Sequence, residues 1–367
     1  MHPIKWSLTT MFNFGKTMIM RNSFILCALF FIPNFLFAGV VSTDGNDLTV
    51  NLNGPIKIKT SDGDYSVKLG GRLMWDYNYA ELNGVADEDD FSLRRARLYL
   101  SGNVKDWSYK VQFNIGNNNG GTPEDLYIRY NGWGKKAVLT VGKQKEPFGL
   151  ESLGSSKDIS YLERSAITEA YAPGRSAGIQ FSGQQGDVTY AVGIFEDDSA
   201  GDRAAVTGRV TYSPIKSSDE VLHLGLAYSN RAADVNMSGV ELAYSKGSYH
   251  LQTEYVTSDK LGVSSDGLYV QAGWIITGET RPYKSGVFKR VKPGSSSGAW
   301  EVVVRYEDGD GAYSDEELGN TDATSFGIGL NYYINNIIRV GATYTDAKDN
   351  LSYDTGSEFR ARLQIAL

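Results

Sequence analysis

Sixteen segments of the sequence alternate apolar and polar residues, so that every second side chain falls on the same face. A period of two belongs to a β-strand whose two faces meet different surroundings. The segments span residues 65–79, 91–102, 107–116, 124–131, 136–144, 175–183, 187–195, 203–212, 220–229, 237–245, 248–257, 266–275, 298–307, 323–333, 336–346 and 356–367. Helical periodicity is confined to short pieces within 150–172. The pattern predicts an all-β chain with an even number of strands.

The connections between these segments differ in length in a regular way. Those after even-numbered segments are mostly short, as at 103–106, 132–135 and 245–247. Those after odd-numbered segments are mostly longer and polar or acidic: 80–90, 145–174, 196–202, 258–265, 308–322 and 347–355. The long, basic connection 276–297 is an exception, since it follows an even segment. Short turns on one rim and long loops on the other are typical of an outer-membrane β-barrel.

Apolar side chains on one face of the segments are arranged as a membrane-facing wall requires. Segment 107–116 carries Trp107, Tyr109, Val111, Phe113 and Ile115 on one side, and segments 220–229, 298–307 and 323–333 repeat the arrangement. Aromatic rings stand at one or both ends of an aliphatic middle, where they can lie at the lipid headgroups. A soluble sandwich does not require rings at strand ends. The sequence therefore predicts a 16-stranded antiparallel transmembrane β-barrel over residues 65–367.

The N-terminal residues read as an export signal. Arg21 and Asn22 precede an apolar run from 24 to 37, and Ala38 is a small residue at a suitable cleavage position. Residues 1–38 are therefore predicted to be a signal peptide, although a membrane anchor is the alternative. Met18 or Met20 is an alternative start, which would leave 1–17 untranslated. Residues 39–64 are then expected to form a short periplasmic segment before the barrel.

Composition excludes several other classes of protein. The single cysteine, Cys27, lies within the predicted signal, so no disulfide framework is possible. The formal charge is −7, and removing 1–38 takes away three bases and no acid, so nucleic acid is not an expected partner. Of the three histidines, His223 and His250 lie on predicted strands, and no nucleophile with a base and an orienting group is visible. An enzyme is not expected.

The inward faces of the predicted strands carry a surplus of bases. They are Lys68, Arg72, Arg95, Arg97, Lys110, Arg129, Arg209, Arg305, Arg339, Arg360 and Arg362, against Asp76, Asp125, Glu241, Glu254, Glu301 and Glu307. The loops, in contrast, hold acidic runs such as 87–90. Low-dielectric walls focus the field of such a lining and attract anions. The alternative is that these bases are solvated filler balanced by loop acids, because selectivity depends on one constriction rather than on a total.

The connection after the fifth segment is the candidate constriction. It reads KEPFGLESLGSSKDISYLERSAITEAYAPGR from 145 to 175, and a loop of this length is uncommon without a function. Folded into the lumen, it would present Lys145, Lys157, Arg164 or Arg175 to a passing ion. Arginine can grip phosphate oxygens with a planar fork, whereas lysine acts as a mobile point charge. For each of these bases the alternative is a salt bridge to an acid of the same loop.

Several motifs resemble a known family. The runs FSLRRARLYL at 91–100, KEPFGLESLGSSKDISYLER at 145–164, APGRSAGIQF at 172–181, TGETRPYK at 277–284 and GAWEVVVRY at 298–306 are similar to those of the phosphate-selective porin O and P family. The resemblance implies a trimer of sixteen-stranded barrels with the third long loop folded inward. It matches Lys157 to the family's anion-binding lysine, and Arg94 and Arg95 to its constriction arginines. Since strict alternation points Arg94 outward, the match also implies a β-bulge there.

Two departures from the family keep other functions open. The arginine-rich insertion after the ninth strand is reduced here to 230–236, with Arg231 alone, and the chain ends in Leu367 rather than an aromatic residue. We expect a channel for passive diffusion of small anions in the outer membrane of a Gram-negative bacterium, with phosphate or polyphosphate as the candidate substrate. A weakly selective general porin and a structural or adhesive barrel are the alternatives.

The expected partners follow from the same resemblance. They are small phosphate-like anions, outer-membrane lipid and lipopolysaccharide, and two further copies of the chain. No cofactor and no metal are expected, because the acidic stretch Asp308-Gly-Asp310-Gly lacks a further ligand at calcium-loop spacing.

Overall fold

The computed structural model describes residues 39–43, 46–52, 54–116, 121–197, 203–231, 235–260, 262–312 and 320–367. The predicted signal peptide and Cys27 lie outside these ranges. The strands are β1 (Gly39–Thr43), β2 (Asn46–Asn51), β3 (Ile56–Thr60), β4 (Tyr65–Leu82), β5 (Val85–Val104), β6 (Trp107–Asn114), β7 (Thr122–Tyr130), β8 (Val138–Lys145), β9 (Arg175–Gln185), β10 (Val188–Asp197), β11 (Arg203–Lys216), β12 (Glu220–Arg231), β13 (Val235–Lys246), β14 (Tyr249–Lys260), β15 (Val263–Ile275), β16 (Tyr283–Lys284), β17 (Val287–Phe288), β18 (Ala299–Ala312), β19 (Asn320–Tyr333), β20 (Ile338–Asp349) and β21 (Thr355–Ala366). Two short helices, α1 (Leu150–Leu153) and α2 (Ala166–Tyr171), lie between β8 and β9.

The strands close into a barrel. Each strand from β4 to β14 pairs antiparallel with the next, β15 pairs with β18, and the series continues to β21. Pairing of β21 with β4 closes the ring, with Arg362 opposite Asp76. Closure leaves no sheet edge in the hydrocarbon layer, where an unpaired peptide group would be costly. The sixteen predicted segments each match one barrel strand, so the predicted fold is confirmed.

The strands extend further than the sequence pattern indicated. The predicted loop at 80–90 is wrong, because β4 and β5 continue to a two-residue turn at Asn83 and Gly84. Both turn residues have positive φ, 51° and 76°, as a tight hairpin turn of this kind requires. The acidic residues 87–90 do not alternate with apolar ones, which concealed the strand. A sheet that rises out of the membrane meets water on both faces and needs no apolar side.

The outer surface carries the predicted apolar belt. Leu226, Ile328 and Ile115 are about half exposed on it. Rings pair at the rim of the short turns: Trp300 stacks on Tyr332 with centroids 4.4 Å apart, and Trp107 lies 4.9 Å from Tyr130. Amphipathic rings at this level are suited to the lipid headgroups. Within the described ranges, neither helix has the length and apolar character needed to cross a membrane.

The first three strands form a small meander beside the barrel. Strand β3 pairs with Ser66–Leu69 of β4, beyond the point where β21 ends opposite Arg72. The meander therefore continues the sheet on the rim of the short turns. Assignment of 39–64 to the periplasm stays a prediction.

Two segments of chain enter the lumen. The inward loop, residues 145–175 with α1 and α2, comes from the rim of the long loops, as the sequence predicted. The inward turn, residues 276–298 with the β16–β17 hairpin, comes from the opposite rim and was noted in the sequence only as an exception. They meet in an apolar cluster in which Leu150 and Leu153 pack with Val287 and Phe288. The lumen is thus narrowed from both ends of the barrel.

The seam between β21 and β4 yields the first prediction. Arg362 donates to both oxygens of Asp76, at 2.7 and 2.5 Å, and Arg360 donates to the same carboxylate at 3.2 Å. Asp76 and Arg362 are almost fully buried. Replacing Asp76 with alanine leaves buried arginines without this partner, so we expect a loss of about 3–5 kcal/mol in the free energy of unfolding. Urea titration of the folded band on unheated gels measures this loss.

A matched control is Glu220→Ala. Glu220 lies 3.6 Å from Lys246, and both side chains are partly exposed. An exposed ion pair contributes about 0–1 kcal/mol. Equal destabilisation by the two variants would contradict a special role for the buried seam pair.

Candidate functional site

The predicted arginine pair of β5 lies against the inward loop. Met74 pairs with Arg95 and Trp75 pairs with Leu93, so Arg94 is the extra residue of a β-bulge. The implied bulge is therefore present, and it turns both arginines toward the lumen. Arg95 donates to the two oxygens of Glu163 at 2.8 and 2.9 Å, and Arg94 donates to the same oxygens at 3.2 Å each.

Two further arginines, both on β21, form ion pairs with the carboxylate of Glu163. Arg362 also donates to its carboxylate, and Arg360 lies 3.6 Å from it. Burial would by itself raise the pKa of Glu163, but the surrounding guanidinium groups outweigh burial and hold that pKa well below its usual range. The carboxylate is therefore ionised, and its negative charge offsets part of the positive charge of the predicted constriction.

Other wall arginines hold the backbone of the inward loop. Arg339 donates to the carbonyl of Ile159 at 2.7 Å, and Arg362 donates to that of Leu162. Arg305 donates to the carbonyl of Glu163 at 2.9 Å. A peptide chain crossing a lumen has no sheet neighbour, so side chains must satisfy its carbonyl groups. In this structure, these predicted wall arginines are anchors for the loop.

Buried carboxylates of the wall hold the loop in the same way. Both oxygens of Glu254 accept from backbone N–H groups, those of Leu150 and Glu151, at 2.7 Å each. Glu307 accepts from the N–H of Ala166 at 2.6 Å, where α2 begins. Inward-facing bases and acids of the wall therefore both fix the loop, the bases as hydrogen-bond donors and the acids as acceptors.

The opposite side of the lumen holds a cavity of about 760 Å³. Its lining is rich in bases, contributed by the wall, the inward loop and the inward turn: Arg72, Arg97, Lys110, Arg129, Lys135, Lys145, Arg164, Arg175, Arg209, Lys216 and Lys284. Among the described residues that line it, Asp125 is the only carboxylate. Five of the wall bases predicted from the sequence, Arg72, Arg97, Lys110, Arg129 and Arg209, thus lie around this cavity.

Some of these bases are neutralised by contact. Arg175 lies 2.7 Å from Asp125 and 3.0 Å from Glu124, and the same two acids pair with Lys110 and Arg97 respectively. On β11, Arg209 donates to both oxygens of Glu241 and to the carbonyl of Gly286 in the inward turn. These pairs fix side chains in place and reduce the local positive charge.

Other bases meet only neutral partners. Arg72 donates to the hydroxyls of Ser155 and Ser156, at 3.0 and 2.8 Å. Lys145 donates to the carbonyls of Gly154 and Ser152. Within the described part of the chain, no carboxylate lies within 4 Å of Arg72, Lys145 or Arg129 in an ion pair. The charge of Arg72 and Arg129 is therefore not offset by a contacting carboxylate.

Lys157 lies near this group but outside the lining of the cavity. Its carbonyl accepts from Gln364 at 3.3 Å. Burial lowers the pKa of Lys157 to about 8; the neighbouring carboxylate of Asp158 opposes the shift, and Arg72 and Arg290 reinforce it. A partly buried ammonium among other cations is a favourable place for an anion. Whether Lys157 binds one stays a prediction.

The inward turn is held by two histidines that sequence reasoning passed over. His223 contacts the hydroxyl of Tyr283 at 2.6 Å and Glu241 at 2.9 Å. His250 lies 2.8 Å from Glu301 and 3.5 Å from Arg281. The basic, unusually long connection 276–297 was the available signal. Among the described residues, no group of three or more His, Cys, Asp and Glu is placed to hold a metal ion.

Comparison with known proteins decides the family. The family model for phosphate-selective porin O and P matches residues 67–239 and 229–366. The chain belongs to this family. It is therefore a channel protein of the outer membrane of Gram-negative bacteria and not an enzyme.

Individual relatives agree with that assignment. Porin O of Pseudomonas aeruginosa is 29% identical over 418 aligned residues, which cover 89% of this chain and 94% of the relative. The anion-selective porin of Comamonas acidovorans superposes with a TM-score of 0.60 at 14% identity, covering 83% of this chain and 100% of that one. The trimer form of OmpT from Vibrio cholerae gives 0.58 at 12% identity, covering 83% and 99%. At these identities the two structures support the fold alone.

The anchoring of the inward loop yields the second prediction. Arg339 is fully buried, and within the described residues it donates to the loop at Ile159 and to Gln364 of the wall at 3.0 Å. Arg339→Gln removes a charged donor worth about 1.5–3 kcal/mol, so the loop should move more freely. We expect a larger and noisier single-channel conductance in planar bilayers. Lys246→Gln, at an exposed pair, is the control, and equal conductance in the two variants would argue against an anchoring role.

Proposed function

We propose that this porin passes small anions by passive diffusion, with phosphate or polyphosphate as the candidate preference. The observation that carries the proposal is the cavity of about 760 Å³, whose described lining has a single carboxylate among many bases. Low-dielectric walls focus the field of such a lining, and this raises the local concentration of anions. Cations are repelled by the same field.

The bases that line the cavity, together with Lys157 beside it, divide into two roles in this proposal. Arg72, Lys145 and Lys157 form the binding group, because among the described residues no carboxylate lies within ion-pair distance of them. The hydroxyls of Ser155 and Ser156 can donate to an oxyanion beside them. The predicted wall bases Arg97, Lys110, Arg129 and Arg209, together with Arg175 of the predicted constriction, maintain the field, most of them from within ion pairs. Several moderate sites allow an ion both to bind and to leave.

The remaining predicted site residues serve the loop. Arg94, Arg95, Arg305, Arg339, Arg360 and Arg362 contact carboxylates or loop carbonyls, and we assign them to positioning rather than to direct transit. The description of the family supports an anion preference, since the family is described as phosphate-selective.

One observation favours the alternative of weak selectivity. Arg231 is the only arginine of the shortened connection after the ninth barrel strand, and it pairs with Glu146 at 3.0 Å and Asp197 at 3.2 Å. It is therefore not free to attract ions at the entrance. A general porin with a modest anion preference is the second candidate function.

Assembly and surroundings follow the family in this proposal. A trimeric form is known for a structural neighbour, and we propose a homotrimer here. The outward apolar belt with its rim of rings is suited to outer-membrane lipid and lipopolysaccharide.

Planar-bilayer recording across a salt gradient tests the proposed function. A reversal potential of the sign set by chloride, together with block of chloride current by added phosphate, would support anion passage with a phosphate site. Anion preference without block would favour the general porin. Cation preference would contradict the proposal, and a folded protein without conductance would favour a structural or adhesive role.

The third prediction concerns Lys157. Replacement by alanine should weaken phosphate block by about 1.5–3 kcal/mol, the range of a hydrogen bond to a charged group. The dissociation constant of the block, measured from its concentration dependence, gives this value. Unchanged block in a folded Lys157→Ala barrel would reject Lys157 and leave Arg72 and Lys145 as the binding group.

The fourth prediction is a pH dependence. With its pKa lowered to about 8, Lys157 is charged below that value and neutral above it. Anion preference should therefore fall as pH rises from 6.5 to 9.5, with a midpoint near 8. Reversal potentials in potassium chloride measure this without the titration of phosphate itself. Lys157→Ala should remove the step, and the same step in that variant would assign it to another group.

A further inference from the structure

We propose that Glu163 is a selectivity determinant: its carboxylate occupies an anion-binding cradle made by Arg94, Arg95 and Arg362. A mobile oxyanion binds there only when this carboxylate is removed or displaced. The inference deepens the proposed function and rests on it, because it treats the pore as an anion channel.

The contacts of Glu163 are those of a bound oxyanion. Arg95 contacts both carboxylate oxygens at 2.8 and 2.9 Å, and Arg94 contacts both at 3.2 Å from a second direction. The planar guanidinium fork fits carboxylate and phosphate alike. The loop therefore supplies, from its own chain, the ligand that such a pair would otherwise take from solution.

The local charge balance supports the same view. Four guanidinium groups, from Arg94, Arg95, Arg360 and Arg362, surround Glu163 within 4 Å. Among the described residues, their other carboxylate partners are Asp76 and Glu358. Without the charge of Glu163 the four cations would face two anions. A buried surplus of this kind strongly favours recruitment of an anion.

The cradle can be reached from the lumen. The side chains of Arg94 and Glu163 are 31% and 19% exposed. Both border a cavity of about 70 Å³ between the inward loop and the wall of β18 to β21. The wall carboxylates Glu307 and Glu358 also border it and disfavour a mobile anion there while Glu163 keeps its charge. The large basic cavity is then the path for anions, and the cradle is a second anion site that the carboxylate of Glu163 keeps occupied.

The test compares Glu163→Gln with the wild-type chain in planar bilayers, using inorganic phosphate as the probe. Glutamine keeps the size of the side chain and removes its charge. We expect the half-blocking concentration of phosphate to fall about tenfold, and we expect this gain to vanish in Glu163→Gln combined with Arg94→Gln and Arg95→Gln. The matched control is Glu169→Gln, which makes the same charge change on the same loop. In the part of the chain that the structure describes, the ion-pair partner of Glu169 is Arg164, and the Glu169 side chain is 42% exposed. The effect of this substitution should therefore stay under about twofold.

Several results would overturn the inference. These are equal effects of Glu163→Gln and Glu169→Gln, persistence of the gain in the triple variant, and weaker block with larger conductance in Glu163→Gln. The last result would indicate that Glu163 serves only to anchor the loop. If the wild-type channel itself prefers cations, the proposed function fails. If the wild type prefers anions but Glu163→Gln resembles it, only the present inference fails.

Folding provides a second arm. If Glu163→Gln does not assemble in detergent, the uncompensated arginines are the cause under this proposal, and phosphate should act as a substitute for the carboxylate. We then expect phosphate at millimolar concentration to restore the heat-modifiable band, with chloride at equal ionic strength as the control. Failure of phosphate to restore the band, or equal recovery with chloride, would overturn the inference.

Discussion

The architecture of the lumen depends on hydrogen bonds between wall side chains and the backbone of the inward loop. Strands in a closed barrel satisfy one another, but a loop that crosses the interior has no such neighbour. Here Arg305, Arg339 and Arg362 donate to its carbonyl groups, while Glu254 and Glu307 accept from its N–H groups. These contacts decide where the loop lies, and the position of the loop decides which side of the lumen remains open.

The anchoring scheme divides the bases of the barrel by function. On the side of β18 to β21, the arginines are bonded to the backbone of the inward loop or to the carboxylates of Asp76, Glu163 and Glu358. On the side of β4 to β11, a cavity remains, and the bases there are either paired with a few acids or bonded to neutral groups such as Ser155 and Ser156. Charge that is not compensated by contact is what a passing anion can use. The inward turn completes the cavity from the opposite rim and is fixed in turn by His223 and His250.

Residue pattern predicted the fold almost completely. Period-two alternation located every barrel strand, and the length difference between connections identified the two rims. The extra arginine of FSLRRARLYL even placed the bulge at Arg94, since the resemblance required two adjacent side chains to face the lumen. The sequence reasoning missed the extent of the β4–β5 hairpin and the inward course of residues 276–298. In both segments, the polar residues bond to water or to other groups in the lumen. The sequence there therefore shows no alternation of apolar and polar residues.

The sequence by itself determined the barrel, its orientation by rims and the surplus of bases inside, because lipid on one side and water on the other impose a periodicity that can be read from a single chain. Only the tertiary structure decided which of those bases form ion pairs with a carboxylate and which do not. Glu163 is 68 residues from Arg95 and 199 from Arg362, yet their side chains meet in the lumen. Pairing of this kind depends on the path of one loop, which is set by many long-range hydrogen bonds and leaves no periodic trace in the sequence.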